Sequence, residues 1–448
     1  MLAEIYAAPK EVLPHRIEFH RARAPESSAS AIARSKRVIS LDVALPKQEE
    51  PSQMAPKRNT VSRPIGRASD TSGLGRRREG PSTRTPPVKA SSPTGKVKKE
   101  IGLFDPERIE LAWSRVGARF EIGGGLHNLG NTCFLNSVLQ CVTYTPPIAA
   151  LALKGELAPL SNRKSSKRFC PLCAVEHHIK RVLSLPNGAL APTNIVRNLR
   201  AFSTQFRPGR QEDAHEFLRY LVEGLHQSCL PLPEPSFKVA ETSFFHRVFG
   251  GKLRSQIKCQ DYVSNTYEPF LDLSLEVSRA DSLEVALKRF TAPEILDGPN
   301  KYYCEKYKKR MKATKRFTVE KAPPVLAVHL KRFDFTRNFG GAKIDRRIKF
   351  PQRLDIRPYM SETHEGKGVY ELYAVLVHSG RSTRCGHYYC FVKGSCGSWF
   401  AMDDSHVRQV SEQTVMEQRA YLLFYVSQVD GSNGSPETST SSPASPSK

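Results

Sequence analysis

The sequence predicts an α+β fold, and three observations predict it. Residues 131–230 carry apolar side chains at helical spacing: Phe134, Leu135, Val138, Leu139 and Val142 in one segment, Phe217, Leu218, Leu221 and Leu225 in another. After residue 240 the apolar segments become short, aromatic and β-branched, which is strand composition. The helices come first and the strands later, so an alternating α/β arrangement is disfavoured.

Each element has a local reason. Cys133 to Val142 reads as a helix ended by Pro146-Pro147, because proline offers no backbone N–H. Glu212 to His226 reads as a second helix. Residues 268–276, 324–333, 371–378, 387–393 and 420–426 read as strands. Residues 1–110 read as a disordered, basic, Ser/Pro-rich tail, since few large apolar side chains are there to offset the entropy of ordering. Residues 428–448 read as a second Ser/Pro-rich disordered tail, which leaves 111–427 as the folded domain.

Composition narrows the class. The 448 residues are enough to bury a sizeable core. There is no run of about 18 apolar residues, so no membrane span is expected. The first residues lack the basic start and apolar stretch of a secretory signal. Ten cysteines without such a signal point to the reducing nucleus or cytoplasm. There cysteines pack, ligate metals or act as nucleophiles. The net charge is +24, with +10 in residues 1–100 and +14 in the rest. That balance suggests an acidic partner, and nucleic acid held by the basic N-terminal tail is one candidate. The clusters Arg76-Arg77-Arg78 and Lys96-Val97-Lys98-Lys99 form a candidate nuclear localisation signal.

Three segments carry chemistry. In Gly125-Leu-His-Asn-Leu-Gly-Asn-Thr-Cys-Phe-Leu-Asn136, a Gly-containing turn delivers Cys133 to the first turn of a helix. Unpaired N–H groups and the helix dipole there favour a thiolate. The upstream Asn128 amide is placed to donate to a developing oxyanion. In Gly386-His-Tyr-Tyr-Cys390, His387 opens a strand and is a candidate general base. In Trp399-Phe-Ala-Met-Asp-Asp-Ser405, Asp403 follows a short strand and can fix an imidazole tautomer. Taken singly, these read first as a buried thiol, a structural histidine and an ordinary turn. Together, a cysteine on a helix with a distant His and Asp on strands is the layout of papain-like thiol hydrolases.

At these residues the chain resembles the ubiquitin-specific proteases. Residues 125–140 are similar to the family's cysteine box and 371–405 to its histidine box. Gln211-Glu-Asp-Ala-His-Glu-Phe217 and Val328-His-Leu-Lys-Arg-Phe333 match two further segments. Val142-Thr-Tyr-Thr-Pro-Pro147 and Phe249-Gly-Gly-Lys-Leu-Arg-Ser255 are most similar to a branch with nucleolar animal members and a plant counterpart. The resemblance implies a papain-like fold with a helical thumb, a β palm and β fingers. It implies Cys133 as nucleophile, His387 as base, Asp403 as its orienter and Asn128 as oxyanion donor, with Asp404 supporting or replacing Asp403. It further implies that Asp213 and Glu216, one helical turn apart and sharing a face, hold the basic tail of ubiquitin. The implied reaction hydrolyses the isopeptide bond at the C-terminal glycine of ubiquitin on modified proteins, without a cofactor and as a monomer. A ubiquitin-binding pseudoenzyme and a protease for another ubiquitin-like modifier are the alternatives.

One departure concerns metal. Many members bind zinc in the fingers through two Cys-x-x-Cys pairs, but here these read Cys259-Gln-Asp-Tyr262 and Cys304-Glu-Lys-Tyr307. Two thiols of four are an incomplete zinc set, so no zinc is expected, with the tyrosines filling the space. Cys170-Pro-Leu-Cys173, near His177 and His178, reads as buried cysteine packing at a helix start in preference to a zinc site.

Overall fold

A computed structural model describes residues 102–116, 121–162, 169–233, 235–333, 343–361, 368–382 and 385–428. The N-terminal tail through residue 101, with its basic clusters, and the tail after 428 lie outside the described residues. The packed domain starts ahead of the expected boundary at 111. Phe104 is buried against Phe244, ring centroids 4.9 Å apart, and its N–H donates to the Thr242 carbonyl.

Five helices frame the sheets and the site: α1 (Cys133–Thr143), α2 (Pro146–Lys154), α3 (Pro171–Leu183), α4 (Ala214–Cys229) and α5 (Leu283–Phe290). Every residue of α1 is buried, so it is a core helix with no solvent face. Pro146 and Pro147 do more than mark its end. They open α2, in the first turn where a missing N–H costs nothing. Helix α4 begins at Ala214, two residues later than its periodicity suggests, because Asp213 is its extended N-cap.

From residue 251 the chain is mostly strand: β1 (Gly251–Cys259), β2 (Tyr262–Phe270), β3 (Leu273–Glu276), β4 (Glu294–Leu296), β5 (Tyr302–Cys304), β6 (Lys309–Met311), β7 (Ala313–Lys321), β8 (Val325–Lys331), β9 (Arg353–Asp355), β10 (Val369–Ser382), β11 (Cys385–Lys393), β12 (Trp399–Asp403), β13 (His406–Val410) and β14 (Ala420–Ser427). The large sheet runs β13-β12-β11-β10-β14-β8-β3, with β9 on β10; β3 and β8 are parallel and the other pairs antiparallel. Tyr388, Cys390 and Val392 face a core shared with α1, α3 and α4. Phe391, Trp399 and Ala401 face a second core closed by α5. Both faces are covered, so the central strands read as apolar runs.

The expected strand over 268–276 is two strands in two sheets. Phe270 ends β2, which belongs to a smaller sheet ordered β2-β1-β7-β4, and Leu273 opens β3 in the large one. Asp272 marks the crossing, held by His215 and by the Ser274 hydroxyl. Beyond the smaller sheet the β5–β6 hairpin packs through Cys304, Tyr302 and Met311 onto Cys259, Tyr262 and Ala313. The Cys259 and Cys304 sulfurs lie 2.9 Å apart. Tyr262 and Tyr307 pack on them, and the Tyr307 hydroxyl donates to Asp261. These residues do not fit a four-ligand zinc.

Candidate active site

Cys133 is the first residue of α1 and only 3% exposed. The turn before it needs left-handed backbone at Gly130 (φ 96°) and Asn131 (φ 56°). Asn128 organises that turn. Its Oδ1 accepts from the Gly130 N–H and the Thr132 N–H, both at 3.1 Å. The Asn128 amide nitrogen is thereby turned outward, and it donates one N–H to Asp404 Oδ2 at 2.9 Å. A side-chain amide carries two N–H groups, so a second donor remains for an oxyanion.

His387 comes from β11, where it is opposite Ser379 of β10. The preceding Gly386 has φ 157°, and a Cβ there would collide with the Ser379 carbonyl oxygen and stand 2.5 Å from His378 Nε2. Only glycine lets the chain pass that closely. His387 Nε2 meets Asp403 Oδ1 at 2.6 Å. The Cys133 side chain beside the ring, partly opposed by burial and reinforced by the Asp403 bond and charge, raises His387 to about 9. It therefore carries a proton at neutral pH beside the sulfur. The neighbouring His378 is buried, and burial with the nearby Lys343 charge lowers it to about 4, so it stays neutral.

The two adjacent carboxylates divide the work. Asp403, the last residue of β12, serves the imidazole, whereas Asp404 (φ 50°) turns toward the cysteine loop. There it accepts from Asn128 Nδ2 and, at 2.8 Å, from Asn136 Nδ2. Asp404 thus hydrogen-bonds the two asparagines while its carboxylate stays within 4.8 Å of His387 and Asp403. Gly125 allows the approach, since a Cβ there would stand 2.6 Å from the Ser405 carbonyl oxygen. The Leu126 N–H donates to the Asp404 carbonyl at 2.8 Å.

Two residues of this site had no role assigned from sequence. Asn136, one turn along α1 from Cys133, anchors Asp404. Gln211 reaches across from the helical side: its Oε1 accepts from the Gly386 N–H at 3.2 Å, and its Nε2 donates to the Gly386 carbonyl and lies 3.7 Å from Cys133 Sγ. Both stand inside the family boxes, but spacing alone could not assign them a partner.

Asp213 and Glu216 line one cavity of about 610 Å³ with His215, Arg219, His329 and Tyr421. They do not share a helix face as equals. Asp213 Oδ1 accepts from the His215 and Glu216 N–H groups, and its Oδ2 from the Tyr421 hydroxyl at 2.7 Å. It is a cap and a tie to β14 as much as an anionic wall. Deeper in, His215 meets Asp272 at 2.9 Å and His329 meets Ser274 at 2.9 Å. Burial disfavours the Asp272 charge, but His215 and His329 outweigh it and hold the carboxyl at about 2. Among the described residues, His215, Asp272 and His329 bring their ligand atoms within 4.8 Å. The two imidazoles, however, are stacked at 3.7 Å and 18°, so both cannot aim in-plane lone pairs at one ion. The group is a hydrogen-bonded wall. Cys170 and Cys173 are joined as a disulfide at the start of α3; Cys170 packs against the core, whereas Cys173 is exposed and departs from the buried packing expected.

The chain is similar to known proteins. The family model described as ubiquitin carboxyl-terminal hydrolase matches residues 124–425. Ubiquitin carboxyl-terminal hydrolase 23 of Arabidopsis thaliana is 50% identical over 324 residues, covering 71% of this chain and 37% of the relative. Ubiquitin carboxyl-terminal hydrolase 42 of Homo sapiens is 43% identical over 335 residues, covering 74% and 25%. The chain thus spans little more than a third of the first relative's length and a quarter of the second's. Among solved structures, the SAGA Ubp8/Sgf11/Sus1/Sgf73 DUB module bound to ubiquitin aldehyde matches with TM-score 0.60 and 31% identity, covering 68% of this chain and 70% of that one.

Proposed function

We propose that this chain, which belongs to the ubiquitin carboxyl-terminal hydrolase family, is a thiol-dependent deubiquitinase. The observation that carries the reading is His387, hydrogen-bonded to Asp403 and raised by the Cys133 side chain beside it. A protonated imidazole beside the sulfur stands ready to pair with the thiolate that attacks. The thiolate adds to the carbonyl carbon of ubiquitin's C-terminal glycine, and the resulting oxyanion takes the second Asn128 N–H. His387 gives its proton to the lysine nitrogen as the C–N bond breaks, leaving a thioester on Cys133. The now neutral His387 takes a proton from water, which attacks the thioester and releases ubiquitin with a free carboxylate.

The Ubp8 module whose structure carries ubiquitin aldehyde supports ubiquitin as the partner. The cavity with Asp213 and Glu216 then receives the basic tail of ubiquitin. A pseudoenzyme reading has nothing in the site to recommend it, since each group the reaction needs is within reach of the next. Nuclear or cytoplasmic residence, a monomeric state and nucleic-acid contact through the basic N-terminal tail belong to the same proposal. The first rests on the cysteine content, the second on the family resemblance and the third on the tail sequence outside the described residues. The test compares fluorogenic C-terminal conjugates of ubiquitin and other ubiquitin-like modifiers. Preferential release from ubiquitin, lost in Cys133→Ala, supports the reading; preference for another modifier, or no release from any, rejects it.

A further inference from the structure

Part of the positive charge of the folded domain is concentrated in one place. Residues 301–316 hold eight Lys or Arg against a single Glu. They form the β5–β6 hairpin and the start of β7. The hairpin's inner side is fixed: Tyr302, Cys304 and Met311 pack into the small core with Cys259. Its outer side is left to solvent. Tyr303 is 51% exposed and sits directly opposite Arg310 in the register, so the two share the outer face; exposed Lys308 leads into the turn, and Lys309, opposite Cys304, is exposed at the hairpin's edge.

Some of these cations are already paired. Lys306 bonds Asp261, Lys312 meets Asp297 at 3.4 Å, and Lys315 lies 4.8 Å over the Phe317 ring. Lys308, Lys309 and Arg310 have no acidic partner among the described residues. A cationic hairpin that also presents an open aromatic ring is more than a solubility device. An acidic protein surface needs only the charges; a base needs the ring as well.

We propose that the β5–β6 hairpin is a single-stranded nucleic-acid-binding surface, with Lys308, Lys309 and Arg310 on backbone phosphates and Tyr303 as the stacking platform. This surface lies in the folded domain and is independent of the basic tail.

The test measures anisotropy of a fluorescein-labelled oligouridine against the full chain across a KCl series. Replacing Lys308, Lys309 and Arg310 together by Ala is expected to weaken binding at least ten-fold near about 100 mM KCl and to flatten the log–log salt slope by about 2. Tyr303→Ala is expected to weaken binding about five-fold or more with the slope unchanged, and Tyr303→Phe to restore it. Melting temperatures equal to wild type show that the variants are folded, and single substitutions serve if the triple variant is not. Wild-type affinity in the hairpin variants, with binding lost on replacing Arg76, Arg77 and Arg78, would assign the binding to the tail and overturn the proposal. So would equal competition by polyglutamate with no effect of Tyr303→Ala, which would indicate an acidic protein partner, or no binding by wild type.

Discussion

His387 has an acid limb as a general base and an alkaline limb as a general acid, and its neighbours set the second. The Cys133 side chain beside it and the bond and charge of Asp403 raise it to about 9. A raised histidine is protonated below that value and loses its proton as pH rises through it. The kcat/KM for an isopeptide substrate should therefore fall above about pH 9, when the leaving lysine loses its acid. Asp403→Asn should move that limb to lower pH; an unmoved limb would mean that Asp403 does not hold the proton. The second carboxylate predicts a different pattern. If Asp404 acts by aiming Asn128, then Asp404→Ala and Asn128→Ala should each lower kcat by about 100-fold, and the double variant should be no worse than either. Additive losses would separate the two. Sequence could not have told these carboxylates apart. Both sit in one Asp-Asp-Ser turn, and only the backbone reversal at Asp404 sends the neighbours to opposite partners.

At the scale of elements, α4 shows one residue serving both packing and recognition. Asp213 caps two N–H groups and holds Tyr421, so Asp213→Ala should lower the melting temperature, by about 1 kcal/mol or more of stability, besides raising KM for ubiquitin. Glu216→Ala should raise KM for ubiquitin; an unchanged KM would mean that Glu216 does not meet the tail. The fingers make a second case. Chelator should leave the melting temperature unchanged, because Tyr262 and Tyr307 occupy the ligand places beside Cys259 and Cys304. Joint Tyr262→Cys and Tyr307→Cys substitution should make it rise with added zinc; a fall of wild-type melting in chelator would contradict this. Helix existence was legible in the sequence because 3.6-residue periodicity is a local property, and α1 and α4 appear within a few residues of their expected ends. The split of 268–276 was not legible. Apolar alternation runs through both strands, and only the tertiary grip of His215 on Asp272 marks the change of sheet.

For the whole molecule, the papain-like α+β layout places a cysteine helix against a sheet that delivers the base, so residues 254 positions apart in sequence become neighbours. The order of the boxes made that layout readable; the contacts made by Gln211 and Asn136 were not, because side-chain partners across chain segments leave no spacing signal. The charge likewise needed the structure. Composition could say only that the domain is basic, whereas register and packing show where exposed cations meet an exposed ring. The most direct measurement is reaction of the folded chain with a ubiquitin C-terminal propargylamide probe, followed by peptide mapping of the adduct. One equivalent of ubiquitin attached through Cys133 in wild type, and none in Cys133→Ala, is the expected result. Folded wild-type protein that forms no adduct, or an adduct mapped to another cysteine, would contradict the assignment of Cys133 as the nucleophile.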